Sequence, residues 1–342
     1  MRRIHQKGVA LAGVVGLLST SALLVAAAGP AAAATDIKVG VIAINSVGTI
    51  PWGVSSGVFA KNGLNVTEVK VFPAPPPSLA ALAAGAVQFT YSPTIPVINA
   101  YANAGVALKV VAPADGYPLA QLTAAKKSPV LAAKLDDTGV CVSPTSGINS
   151  WKDLAGKTVS VPARGAQGEV TIAAAVKYAG GNPATINFVV LPFGTALDAV
   201  KSGRTSAAFT VEPFTSQCAA NGLKNLGSPG IQFFTNEQAV GVWVTTAAFA
   251  QQNPAAVLAF QKSIYQLNLF ASTKAGYDKI LQSMNPTYTQ VDLATARKSN
   301  PAYYPSTILA NDLKNPASKM LALGFLKKPA DVAGLLLTQY RP

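Results

Sequence analysis

The sequence predicts an α/β fold built on mainly parallel sheets. Short β-rich runs alternate with stretches of helical pattern. Gly63, Gly85 and Gly105 each follow a helical stretch, where a left-handed residue closes the last turn. Half of the residues are hydrophobic and only 12% are charged, enough apolar material for a substantial core. At 342 residues the chain has room for two ordinary domains or one large one.

Taken in order, strands are expected at Ile37–Ala43, Val66–Val71, Val87–Tyr91 and Leu108–Ala112. Helices fall between them near Pro51–Asn62, Ser78–Ala84 and Pro96–Ala104, giving three successive β-α units. A second set has strands at Val140–Val142, Thr158–Val161, Phe188–Leu191 and Ala207–Val211, with helices at Glu169–Ala179 and Gly194–Lys201. Val240–Thr245 reads as one further strand. Asn253-Pro254 then supplies an N-cap followed by proline at the first helical position. Helices are expected over Pro254–Ala271, Tyr277–Met284, Gln290–Lys298, Ser306–Leu323 and Pro329–Gln339. Neither Pro73–Pro77 nor Leu135–Gly139 is long enough for a flexible tether, so any two domains share the chain discontinuously.

The first 34 residues read as a secretory leader. Arg2, Arg3 and Lys7 form a basic start, Gly8–Ala28 is uncharged, and small residues crowd Ala31–Ala34 before Thr35-Asp36, an A-x-A cleavage pattern. An uncleaved anchor is the rival reading, since the apolar run nearly spans a bilayer. Arg2-Arg3 alone is a weak twin-arginine signal, and no cysteine stands near the site for a lipid anchor. Without the three leader cations, the +13 of the full chain falls to +10, an excess that suits an anionic ligand or surface through steering.

The single histidine, His5, lies in the leader. The remaining chain therefore holds no Ser-His-Asp triad, Cys-His dyad or H-E-x-x-H metal site, and no catalytic residue, cofactor or metal is expected. Cys141 and Cys218 are the only cysteines. An exported protein permits them to pair, and two buried thiols are the alternative.

Four segments carry a resemblance. They are Val39–Val66 with "GVFAKNGLNV", Leu79–Tyr91 "LAALAAGAVQFTY", Ser146–Val161 "SGINSWKDLAGKTVSV" and Ala196–Phe214 "ALDAVKSGRTSAAFTVEPF". Together they resemble the nitrate/sulfonate/taurine-type periplasmic binding proteins of ABC importers, a group that includes thiamine-precursor binding proteins. Gln88 departs from that pattern where an acid is usual. The resemblance implies a two-lobed, type II periplasmic binding protein fold, with two doubly wound sheets joined by two crossing strands. Lobe I would take residues 35–135 and 247–342, and lobe II residues 136–246, with Val140–Val142 and Val240–Thr245 as the crossing strands. Such lobes close on a ligand by a hinge motion.

Ligands of open α/β sheets lie beyond the carboxyl ends of strands, beside helix N-termini. That rule singles out Asn45, Thr49 and Trp52 after the first strand, Ser78, then Tyr91, Ser92 and Thr94. In the second lobe it selects Arg164, Gly165, Ala166, Gln167 and Gly168, together with Glu212. Arg164 is the most pointed of these, because a cation before a helix start is unfavourable unless an anion joins it. A solvated arginine is the alternative. Trp52 and Tyr91 suit either stacking on a ligand or the core; Ser78, Ser92 and Thr94 suit either ligand hydroxyl contacts or caps. Glu212 suits a ligand donor or a lysine. Pro75-Pro76-Pro77 supply no N–H groups, which weakens any anion nest in lobe I and favours an organic anion whose charge meets lobe II.

The resulting expectation is a monomeric, non-enzymatic solute-binding protein, periplasmic or extracellular. Its partners would be a small anionic organic ligand (a sulfonate or carboxylate) and an inner-membrane ABC permease, with no nucleic acid. A pyrimidine or thiamine-precursor binder, or a sensor-linked binding module, is the alternative. The enzyme that shares the fold depends on histidine and a cysteine-rich motif, which this chain lacks.

Overall fold

The computed structural model describes Met1 and residues 34–342, so the leader expected over residues 1–34 falls almost wholly outside the described residues. Ala34–Pro342 form one compact unit built on two five-stranded sheets.

The strands are β1 (Thr35–Ile42), β2 (Leu64–Phe72), β3 (Phe89–Pro93), β4 (Leu108–Gly116), β5 (Thr138–Val142), β6 (Thr158–Val161), β7 (Asn187–Val190), β8 (Ala207–Val211), β9 (Lys224–Asn225) and β10 (Ala239–Thr246). The first sheet runs β2-β1-β3-β10-β4 and the second β7-β6-β8-β5-β9. In each, three strands pair in parallel and one strand inserts antiparallel beside the third. The inserted strands are β10 and β5, each delivered from the other half of the chain. The two sheets therefore repeat one topology, and the chain passes between them twice, before β5 and before β10.

β10, which covers the strand expected at Val240–Thr245, hydrogen-bonds to β3 and β4 in the first sheet. Thr90, Tyr91, Ser92 and Pro93 lie opposite Val244, Trp243, Val242 and Gly241 in that pairing. Trp243 is fully buried among Tyr91 and Phe260, and this packing anchors β10 where it is.

Most expected elements form, with shifted ends. The helix expected at Pro51–Asn62 breaks into Thr49–Ser55 and Val58–Lys61 at Gly57, whose φ of 75° no other residue type adopts easily. Pro75–Pro77 open the helix Pro75–Ala83, where absent N–H groups cost nothing. The C-terminal part departs further. The helices expected at Gln290–Lys298 and Ser306–Leu323 shorten to Leu293–Ala296 and Asn311–Ala322. Pro329–Gln339 is not a helix apart from the 3₁₀ turn Ala333–Leu335. Its backbone is taken by the edge of the first sheet instead: Leu336 bridges Val110, and the Leu337 N–H donates to the Val110 carbonyl at 3.1 Å. Helices Leu119–Ala125 and Pro129–Leu135 lead into β5 and were not expected.

Cys141 on β5 and Cys218 on the helix Gln217–Ala220 are disulfide-bonded, with Cα atoms 5.8 Å apart. The bond ties the inserted strand of the second sheet to the segment that follows β8. No helix among the described residues is long and apolar enough to cross a membrane.

Candidate ligand-binding site

The carboxyl ends of the parallel strands in both sheets face one cavity. Ile42 and Ile44 reach it from the end of β1, Pro75 from the helix after β2, Tyr91 and Pro93 from β3, and Asp115, Gly116 and Tyr117 from β4. The second sheet contributes Thr138, Pro162, Phe193, Phe209 and Val211, and the helix start at Ala166, Gln167 and Gly168. Asp137, Ala302 and Tyr303 close the remaining wall. The cavity these atoms enclose is small, about 40 Å³, and open at its mouth.

Several hydrogen bonds join the two halves around it. The Asn45 N–H donates to the Glu212 carbonyl at 3.0 Å, joining the loop after β1 to the loop after β8. On the other side Asn99 Nδ2 donates to the Gly165 carbonyl at 3.1 Å. Asn300 braces the junction: its N–H reaches Glu212 Oε1 at 3.1 Å and its side chain reaches the Asp136 carbonyl at 2.9 Å.

The ionisable carboxyl groups in and beside the cavity are Asp115, Asp136 and Asp137, and only the first and last line it. Asp115, 7% exposed, accepts from Ser46 Oγ at 2.5 Å and Tyr91 Oη at 2.9 Å through the same oxygen, Oδ2. Burial pushes its carboxyl up, and the Ser46, Tyr91 and Gly241 donors oppose that shift. Gly241 is required here, because a Cβ at that position collides with Asp115 Oδ1. Asp136 accepts from Tyr117 Oη at 2.7 Å, from Thr138 N and Oγ1 at 3.0 Å each, and from Ser228 Oγ. Burial raises it to about 6 against these donors.

Asp137 differs from both. No N–H or hydroxyl among the described residues donates to its carboxylate. Burial, followed by the charges of Asp115, Asp136 and Glu212, drives it well above the ordinary carboxylate range. No Lys, Arg or His lines the cavity among the described residues.

Of the residues singled out from the sequence, Tyr91, Ala166, Gln167 and Gly168 line this cavity. The others lie elsewhere. Asn45 is buried in a network with Ser299 and Asn285. Thr49 is buried at a helix start, and Trp52 stacks on Phe270 with ring centroids 5.5 Å apart. Ser78 Oγ donates to the Pro75 carbonyl at 2.8 Å and Ser92 Oγ to the Pro93 carbonyl at 2.9 Å. Thr94 is buried with its hydroxyl unpaired. Glu212 accepts from Ser216 N and Oγ as well as from Asn300.

Arg164 lies outside this cavity. Its guanidinium donates to Glu169 Oε1 at 2.7 Å and to the Phe188 carbonyl, and its side chain is 59% exposed. Glu169 also accepts from the Gly165 N–H at 2.6 Å. The anion that this helix start attracts is thus the chain's own carboxylate in the first turn. Sequence reasoning passed over Asp115, Tyr117, Asp137 and Tyr303. The "ADGY" end of β4 and the adjacent acids Asp136-Asp137, in a chain with only 14 acidic residues, are the signals that could have found them.

Two facing sheets with strand ends turned to a common cavity define the periplasmic binding protein fold, and solved structures match it over nearly the whole chain. The alkanesulfonate-binding protein SsuA from Xanthomonas axonopodis pv. citri, solved with MOPS bound, superposes with a TM-score of 0.71 at 17% identity, covering 90% of this chain and 99% of that one. The aliphatic sulphonate-binding protein SsuA from Escherichia coli gives 0.66 at 18% identity, with 88% and 97% covered. The nitrate-binding protein NrtA from Synechocystis PCC 6803 gives 0.70 at 13% identity, with 87% and 84% covered. Residues 136–267 match the family model described as NMT1/THI5 like. No curated protein matches the sequence.

Proposed function

We propose that this chain is an extracytoplasmic solute-binding protein that captures one small organic molecule between its sheets and delivers it to an ABC permease. In this reading the leader is removed on export and the mature protein acts as a monomer without catalytic turnover. The two lobes are residues 35–135 with 239–342, and residues 136–238. The observation that carries the reading is the single cavity at the carboxyl ends of both sheets, spanned on opposite sides by the Asn45–Glu212 and Asn99–Gly165 hydrogen bonds. Paired contacts of this kind form on closure and part on opening. The sulfonate- and nitrate-binding roles of the structural neighbours support the transport setting. They do not carry over to the ligand, because the expected cation of the cleft, Arg164, is occupied outside it.

The test is a thermal-shift screen of anionic, neutral and cationic small solutes, with mass spectrometry of the solute before and after incubation. At a hundredfold excess over Kd a true ligand stabilises the fold by about 2.7 kcal/mol. The reading expects at least one solute to raise the Tm and to be returned unchanged. A screen in which none does so, or in which the solute is converted, contradicts it.

A further inference from the structure

Resting on the solute-binding reading, we infer that the ligand is a flat organic cation rich in N–H donors, an amidinium or arylammonium, anchored on Asp137 and Gln167.

The hydrogen-bonding bias of the cavity carries this inference. Tyr91 and Tyr117 both spend their hydroxyl protons on carboxylates, Asp115 at 2.9 Å and Asp136 at 2.7 Å. What each phenol has left to offer a ligand is a lone pair. Asp137 adds a carboxylate that receives no N–H or hydroxyl donor from the described residues. Gln167, only 9% exposed, lines the same cavity, and its side-chain amide makes no hydrogen bond to a described residue. That amide is therefore free to donate to and accept from a ligand. Among the side chains that line the cavity, the free groups are thus two phenol lone pairs, the Asp137 carboxyl and the Gln167 amide, and no Lys, Arg or His of the described residues stands beside them.

The walls set the shape. Phe193 and Phe209 stand on the second-sheet side, and Pro75, Pro93, Ile42 and Ile44 on the first. The prolines at the start of Pro75–Ala83 withhold the N–H groups that an anion would need there. The aromatic and apolar surfaces suit a flat organic body, and a cation over ring faces gains further attraction. An anionic headgroup placed in the same space would meet Asp115 and Asp137 with no counter-charge.

The experiment is calorimetric titration of the intact protein at pH 7.5 with four probes of similar size: benzamidine, benzamide, benzoate and phenylmethanesulfonate. Benzamidine is expected to bind at least tenfold more tightly than benzamide, and neither anion measurably. Asp137→Asn, a neutral isostere, is expected to erase the preference for benzamidine over benzamide. The inference is overturned if either anion binds more tightly than benzamidine. It is also overturned if the benzamidine preference survives in Asp137→Asn, or if no probe binds. In each of those cases the solute-binding reading still stands when the wider thermal-shift screen finds a ligand, and falls with it when that screen finds none.

Discussion

Tyr91 Oη donates to Asp115 Oδ2 at 2.9 Å, linking the end of β3 to the end of β4 at the floor of the cavity. The bond passes beside β10, which lies between the two strands and carries Gly241 where a side chain would intrude. One glycine, one phenol and one carboxylate thus fix both the shape of the cavity and its acceptor character.

That relationship predicts the behaviour of Gly241→Ala. The added methyl group meets Asp115 and the Tyr91 ring, and overpacking of this kind costs about 1–3 kcal/mol. Asp115→Ala removes the obstacle, so the double variant should lose less stability than the two single changes summed. Denaturant melts of all four proteins check this through a coupling energy of at least about 0.5 kcal/mol. Additive losses would mean that the two residues do not compete for the same space.

Asp137 should stabilise the empty protein less than its neutral isostere does. Its folded-state carboxyl is raised above the ordinary value, so the fold holds a proton that the unfolded chain releases near pH 4. Below that pH the proton is bound in both states and costs nothing. As pH rises toward the folded value, stability is lost. Asp137→Asn should therefore raise the Tm of the ligand-free protein at pH 7 by about 2 °C or more, and change it little at pH 4. Thermal melts at the two values decide; an equal or larger gain at pH 4 contradicts the assignment.

The disulfide closes 77 residues of chain around the second sheet. Chain entropy assigns such a loop about 4 kcal/mol in the unfolded state. Cys141→Ser with Cys218→Ser should lower the Tm by roughly 5–10 °C, with a matching loss on reduction of the native protein. A Tm unchanged by reduction would show the bond to be structurally idle.

Asn99, half-buried on the helix Thr94–Ala104, donates to the Gly165 carbonyl in the other half and accepts from Asn103 Nδ2 on its own helix. Asn99→Ala should speed ligand release about two- to tenfold, the worth of one hydrogen bond of about 0.5–1.5 kcal/mol. Stability should stay within about 0.5 kcal/mol of the native value. Stopped-flow release measures the first and a denaturant melt the second. An unchanged release rate would detach this contact from closure.

Much of the fold was legible. Val39–Ile42, Phe89–Tyr91 and Ala207–Val211 are apolar runs bounded by turn residues, and each became a buried strand. β9, with only Lys224 and Asn225, carries no pattern at all. The C-terminal stretch after Pro329 has helical composition, yet the edge of β4 offers its backbone a better partner. The site was less legible, because its polarity is tertiary. Arg164 looked free only while Glu169 was read as part of the helix; five residues on, that acid is its partner. The positive net charge of the chain was read toward the ligand, whereas the cavity carries none of it. Tyr117 and Asp136, nineteen positions apart, meet only because the chain turns there from the first sheet to the second.

The position of a bound solute tests the account most directly. A crystal structure with the solute that raises the Tm furthest should show it between Tyr91 and Phe209, with a donor within hydrogen-bond reach of the Asp137 carboxylate. Density instead in the outer groove beside Arg164 and Asn99, with the central cavity empty, would contradict it.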